Sequence, residues 1–228
     1  MNTSKVKVDV SELIAFFDEK AEGSKGHATA IVAMAGEDLG VALLAHYFQS
    51  QNIDTEVLKP CTQGTKSGVR LDRWLLCNRS GHSLLYQVEI KNWSAHAIGG
   101  GRLCRSASTA DIRDYKIERW NQEWKDGKFL KDSVAKVLIR MECPKNKEHL
   151  PVEPLVCFWS AMHPDGDEAP FFAVPLAEGG NFNEVSVFSM SSYVRTLRDA
   201  TIELEMPDFA ARRDWLSRIF PQPGQNKK

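Results

Sequence analysis

GVRLDRWLLCNRSGHSLLYQVEIKNW, residues 68–93, carries the clearest structural signal in the chain. Two apolar runs, Val69 to Cys77 and Leu84 to Lys91, are rich in Leu, Val, Ile, Trp and Tyr, and Asn78-Arg79-Ser80-Gly81 between them has the composition of a turn. A β-hairpin is expected. With its turn centred on Ser80-Gly81, Asp72 faces Glu89, Arg70 faces Lys91 and Trp74 faces Gln87, so that Asp72, Glu89 and Lys91 share one face. Directly opposed residues hold their Cβ atoms about 4.5–5.5 Å apart, and like charges in that position destabilise the pair. A hard divalent cation offsets such repulsion, since Mg2+ takes carboxylate oxygens at about 2.0–2.1 Å and keeps several of its waters. Lys91 would then stand beside those waters.

The whole chain bounds the answer. Its 228 residues, 43% of them hydrophobic, suffice for one sizeable core, and a single domain is expected over residues 1–220 with a flexible tail at 221–228. A formal net charge of -1 gives no global basic signature, so contact with nucleic acid must come from a local patch. Five cysteines, at 61, 77, 104, 143 and 157, form no C-x-x-C pair and fit a reduced, cytoplasmic setting. The first residues become charged too soon for a signal peptide, and no apolar run is long enough to cross a bilayer. The six histidines show no H-x-x-x-H pair, which argues against zinc, and no phosphate-binding G-x-x-x-x-G-K-[ST] loop occurs.

Along the chain, Val10, Leu13, Ile14 and Phe17 carry helical spacing after a polar lead, with Asp9 or Ser11 as caps. Ala28 to Gln51 reads as a long helix in which Gly36 and Gly40 bracket Glu37. Ile53 to Lys59 reads as a strand, and the loop at 60–68 holds Lys66 among hydroxyls that suit phosphate. Beyond the hairpin come a glycine-rich loop with Arg102 and Arg105, then a helix from Asp111 to Lys125. Val134 to Met141, Leu155 to Ala161, Phe171 to Leu176 and Val185 to Met190 are β-like by composition. Ser191 is placed as the cap of a helix through Ala200, and Asp208 as the cap of a last helix with Phe209, Leu216, Ile219 and Phe220 toward the core. The acidic stretch at 165–168 reads as a solvated loop, and His46 as a core or boundary residue.

Asp72 followed by Glu89-Ile90-Lys91 at the end of the next strand resembles the active-site signature of the PD-(D/E)xK superfamily, the restriction-endonuclease-like nucleases. Leu71 stands where that signature often has proline. Other acid-x-Lys triplets, such as those at 18–20, 114–116, 123–125 and 126–128, lie in apparent helices or a helix-terminal loop, whereas only 89–91 ends a strand with an Asp facing it. The resemblance implies an α/β fold with an αβββαβ core over about residues 28–141, a mixed central sheet flanked by helices, and additional C-terminal strands and helices at 142–220. It implies a metal shell of Glu37, Asp72, Glu89 and the carbonyl of Ile90 around Mg2+, with Mn2+ as substitute, and Lys91 as the residue that orients the attacking water. Some branches place a Gln and a Tyr on the helix after the hairpin; Tyr115 matches, whereas Asp111 stands in place of the Gln.

On this reading Gln87 contacts a metal-bound water or a phosphate oxygen, and Lys66, Arg70, Arg102 and Arg105 contact substrate. The expected activity is phosphodiester hydrolysis of nucleic acid, DNA favoured over RNA, in a restriction- or defence-like endonuclease, with a homodimer or a partner protein left open and no membrane involved. Two other readings of the same residues stand beside it. One is a catalytically silent module of this fold that binds nucleic acid or a protein; the other is a surface ion cluster in which Arg70 and Lys91 neutralise Asp72 and Glu89, with Glu37 solvated.

Overall fold

The hairpin at the centre closes through a two-residue turn in which Ser80 and Gly81 both take positive φ, 51° and 83°. That is the geometry of a type I′ turn, whose twist matches the strands it joins. Strands β3 (Arg73–Arg79) and β4 (His82–Lys91) therefore pair antiparallel in the expected register, Trp74 against Gln87 and Arg73 against Val88. The computed structural model describes residues 4–18, 25–58, 71–91, 137–159, 161, 163, 169–176, 180–197 and 200–219.

Around the hairpin a six-stranded mixed sheet forms, with β2 (Asp54–Leu58), β5 (Val152–Phe158), β6 (Phe171–Pro175) and β7 (Glu184–Ser189), in the order β2-β3-β4-β5-β7-β6. β2, β3 and β4 are mutually antiparallel, β5 and β7 run parallel to β4, and β6 is antiparallel to β7. Both faces are covered, which explains why the central strands read as continuous apolar runs rather than alternating ones. On one face α2 (Lys25–Ser50) packs Leu39, Ala42 and Leu43 against Leu75, Val88, Ile90 and Cys157. On the other, Trp74, Leu76 and Leu85 meet Val156, Phe158, Val174 and Val187.

Smaller elements seal the α2 side. α1 (Val10–Asp18) is capped as expected, Glu12 donating its backbone N–H to Asp9 Oδ1 at 3.1 Å. β1 (Lys5–Asp9) and β8 (Thr201–Glu205) pair antiparallel in a separate ribbon, which puts Ile202 and Leu204 into the core and joins Lys5 to Glu203 at 3.0 Å. α3 (Met190–Leu197) starts one residue before the expected Ser191 cap, and the Ser191 N–H donates to Trp159 O at 2.6 Å.

Three expectations are corrected. The described part of the stretch read as a strand at 134–141 is irregular, because its backbone groups are bonded by a side chain instead of a neighbouring strand. The polar lead and the segment after α3 are strands. α4 (Pro207–Ile219) turns Phe209 toward the core as expected and buries Ala210, but Leu216 and Ile219 are exposed, as is Trp215 at 62%, and Phe220 lies outside the described residues. Pro207 at its first position needs no N–H partner, and the Phe209 N–H is taken by Asp38 Oδ2 at 2.9 Å, so that the cap comes from α2.

No helix among the described residues is long and apolar enough to cross a membrane. Cys77 and Cys157 are buried thiols held protonated, Cys77 pushed up to about 12 by burial with the Asp54 charge adding to it.

Candidate active site at the end of the hairpin

Strand β3 begins one residue after Asp72, and β4 ends at Lys91, so the signature residues meet at one edge of the sheet. Where the β3–β4 ladder stops, the Ile90 N–H has no opposing strand carbonyl within the paired residues. The Asp72 carboxylate takes that place: Oδ2 accepts the Ile90 N–H at 2.7 Å. Continuing the register by one residue from Arg73–Val88 sets Asp72 across from Glu89, as the hairpin reading requires.

Glu89 is 1% exposed. A carboxylate so far from water must be neutralised or strongly hydrogen-bonded, and Lys91, two residues on and therefore on the same face, places Nζ 2.5 Å from Glu89 Oε1. The Lys91 side chain is itself largely buried. Cation and carboxylate thus form a tight pair beside the Asp72 carboxylate, where an isolated negative charge would be unstable.

The donor chemistry suits a hard divalent ion. Two carboxylates and a main-chain carbonyl are what Mg2+ accepts while keeping its remaining waters for substrate. Soft ligands are absent from this donor set, and no group of three His, Cys, Asp or Glu side chains able to hold a metal occurs among the described residues.

Glu37 is reached only through Arg73. It is exposed on α2 and pairs with Arg73 Nη1 at 3.5 Å, and Arg73 points to the face opposite Trp74, Gln87 and Glu89 because neighbours along a strand alternate. Asp72 and Glu89 meet at the sheet end, while the Glu37 carboxylate is engaged by Arg73. Gln87 is corrected: it is fully buried, its Nε2 donates to Val137 O and, at 2.9 Å, to Ile139 O, and its Oε1 accepts the Met141 N–H at 3.2 Å. An amide spent on three backbone groups fastens the 137–141 segment over the sheet and has no hydrogen bond left for phosphate. Lys66, Arg70, Arg102 and Arg105 lie outside the described residues, as do the 111–125 helix and the acidic stretch at 165–168.

Sequence reasoning missed Arg73. Only 8% exposed, it donates through Nη1 to Asp72 O at 2.7 Å and through Nη2 to Asp208 Oδ2 at 2.6 Å. Asp38, buried close by, has its carboxyl raised above the usual range by burial, with the charge of Asp208 adding to the effect and the Phe209 N–H and Arg73 opposing it. Behind Arg73 a groove of about 610 Å³ opens between α2, β2 and β8, lined by Asp38, Glu56, Glu203, Glu205 and Asp208. Carboxylates outnumber Arg73 along it, which makes it unfavourable to a polyanion. His46, as expected, is a core-boundary residue bonded to Tyr193 through Nδ1 at 2.7 Å, with burial lowering its pKa.

No protein-family model, no curated protein and no solved structure matches the chain.

Proposed function

We propose that the chain is a Mg2+-dependent phosphodiesterase acting on nucleic acid, with DNA favoured, built on a restriction-endonuclease-like core. The observation that carries this reading is the meeting of Asp72 with Glu89-Ile90-Lys91 at one sheet end: Ile90 N–H on Asp72, Lys91 on Glu89. The order of elements supports it. A long helix, three antiparallel strands and a fourth strand parallel to the third follow one another as in the αβββαβ core, and residues 92–151, long enough for a helical crossover, join β4 to β5.

The chain's own residues divide the work. Asp72 and Glu89, with the Ile90 carbonyl, would hold the ion, and the Ile90 N–H orients the Asp72 carboxylate by fixing its Oδ2. A divalent ion held there would supply Lewis-acid chemistry toward the phosphate and the attacking water. Lys91 has a second task. Its ammonium, held beside the two carboxylates, would orient the attacking water or balance the charge that builds on the phosphate. The substrate approaches the sheet end, away from the acidic groove behind Arg73.

Cleavage of plasmid, linear duplex, single-stranded DNA and RNA by the purified protein tests this, with Mg2+, Mn2+ or EDTA. Metal-dependent cutting that disappears in folded Asp72→Ala and Lys91→Ala is the expected result; cutting that survives both substitutions, or none on any substrate, would refute it. A catalytically silent module that binds nucleic acid or a protein is the second reading. It is favoured by the lack of a third carboxylate beside Asp72 and Glu89 among the described residues. Salt-dependent binding of nucleic acid without cleavage would establish its nucleic-acid form.

A further inference from the structure

Arg73 makes three connections from a nearly buried position, one to the main chain of Asp72 and two to carboxylates on the helices α2 and α4. A guanidinium presents its donors in a rigid fork, so contacts made through its two terminal nitrogens fix one another's geometry. Here Nη1 holds the carbonyl of Asp72 at 2.7 Å, while Nη2 holds Asp208 Oδ2 at 2.6 Å. Glu37 Oε2, at 3.5 Å from Nη1, completes the counter-charge of the cation. Asp72 immediately precedes the strand. Its main chain is pinned by Arg73 on one side, and its carboxylate by the Ile90 N–H on the other.

The same arginine anchors α4. Asp208 lies in the first turn of that helix, which is further held by Asp38 on the Phe209 N–H and by Arg212 donating to Met34 O. Most of its described side chains are exposed, so these polar contacts add to the seating given by Ala210 and Phe209.

We propose that Arg73 is a positioning residue for Asp72, through which Glu37 and the seating of α4 by Asp208 set the geometry of the candidate metal site. Glu37 thus acts on the site at one remove, by holding the arginine. The metal-binding consequence rests on the hydrolase reading above; the placement of Asp72 does not.

Hydrogen exchange at the Ile90 amide reads that placement directly, because its N–H is the one donated to Asp72. The Leu85 amide serves as control: it lies toward the other end of β4 and donates to Pro151 O at 3.0 Å. Asp72→Ala sets the rate without the bond. Arg73→Gln and the milder surface changes Asp208→Asn and Glu37→Gln are expected to speed Ile90 exchange toward that rate, by about tenfold for Arg73→Gln, with Leu85 unchanged. Arg73→Lys, which keeps the charge and loses the fork, is expected to remain fast. In parallel, Mg2+ affinity is expected to fall about tenfold in Asp208→Asn, the usual effect of losing an outer partner of a ligand.

Wild-type exchange at Ile90 in Arg73→Gln and Asp208→Asn would overturn the proposal, as would equal acceleration of Ile90 and Leu85, or an Asp72→Ala variant with unaltered Ile90 exchange. A protein that neither binds Mg2+ nor cleaves, yet shows the expected exchange pattern, refutes the hydrolase and leaves the positioning of Asp72 in place.

Discussion

Replacing Lys91 with methionine removes the ammonium that stands 2.5 Å from Glu89 Oε1 and keeps nearly the same length of side chain. Glu89, 1% exposed, then holds its charge without that partner. Breaking a buried pair by deleting one member costs about 3–5 kcal/mol; the Lys91 side chain is 16% exposed, which admits some water and points to the lower end, about 3 kcal/mol. Urea unfolding in EDTA measures the loss. If the sheet end is built to accept a divalent ion, Mg2+ should then replace the missing positive charge. A ligand bound only by the folded state at a hundredfold excess over its Kd adds about 2.7 kcal/mol, so most of the loss should return. The wild type should gain less, since there Lys91 already neutralises the same carboxylate. Glu89→Gln combined with Lys91→Met should be far milder than Lys91→Met alone, because no buried charge is left behind. The reasoning fails if Lys91→Met loses under about 1 kcal/mol in EDTA, or if Mg2+ stabilises it no more than it stabilises the wild type.

Two further outcomes follow from buried polar groups. Gln87→Leu strips partners from three backbone groups at once, and with about 1–3 kcal/mol for each one left unsatisfied, a loss of at least about 3 kcal/mol is expected in urea unfolding; a loss below 1 kcal/mol would show that water replaces the amide. His46 has its pKa lowered from 6.5 by burial, so the unfolded chain binds more protons between the folded pKa and 6.5. Stability is therefore lost as pH falls below 6.5 toward the folded pKa, and thermal melts of His46→Gln should lack that part of the slope; identical pH profiles would contradict it.

How much of this was legible in the sequence varies with the range of the forces involved. The hairpin could be read because a Ser80-Gly81 turn and the period of two fix register locally, and Trp74 does pair with Gln87. The long helix, β2, β5, β6 and β7 were legible for the same reason, as runs whose composition matches their burial. β1 and β8 were not, since each is five residues long and finds its partner at the other end of the chain. The stretch before Met141 looks like a strand by composition, yet Gln87, more than forty residues earlier, takes the backbone bonds a strand would need.

The site divides in the same way. Asp72, Glu89 and Lys91 could be placed by hairpin geometry alone. Glu37 could not, because the rotation of α2 over the sheet decides whether residue 37 or 38 turns inward. Asp38 is the buried one, and Glu37 meets an arginine that projects from the opposite face of the strand to Glu89. Arg73 carried no local signal of its own: it follows Asp72 in an apolar run, and its partners sit on α2 and α4.

Calorimetric titration of Mg2+ into the wild type, Asp72→Ala and Glu89→Ala, with folding of each variant checked by circular dichroism, tests the central claim that these two carboxylates form a cation site. One saturable binding event in the wild type that both substitutions abolish is the expected result. Saturation that persists unchanged in both folded variants, or none in the wild type at millimolar Mg2+, would contradict it.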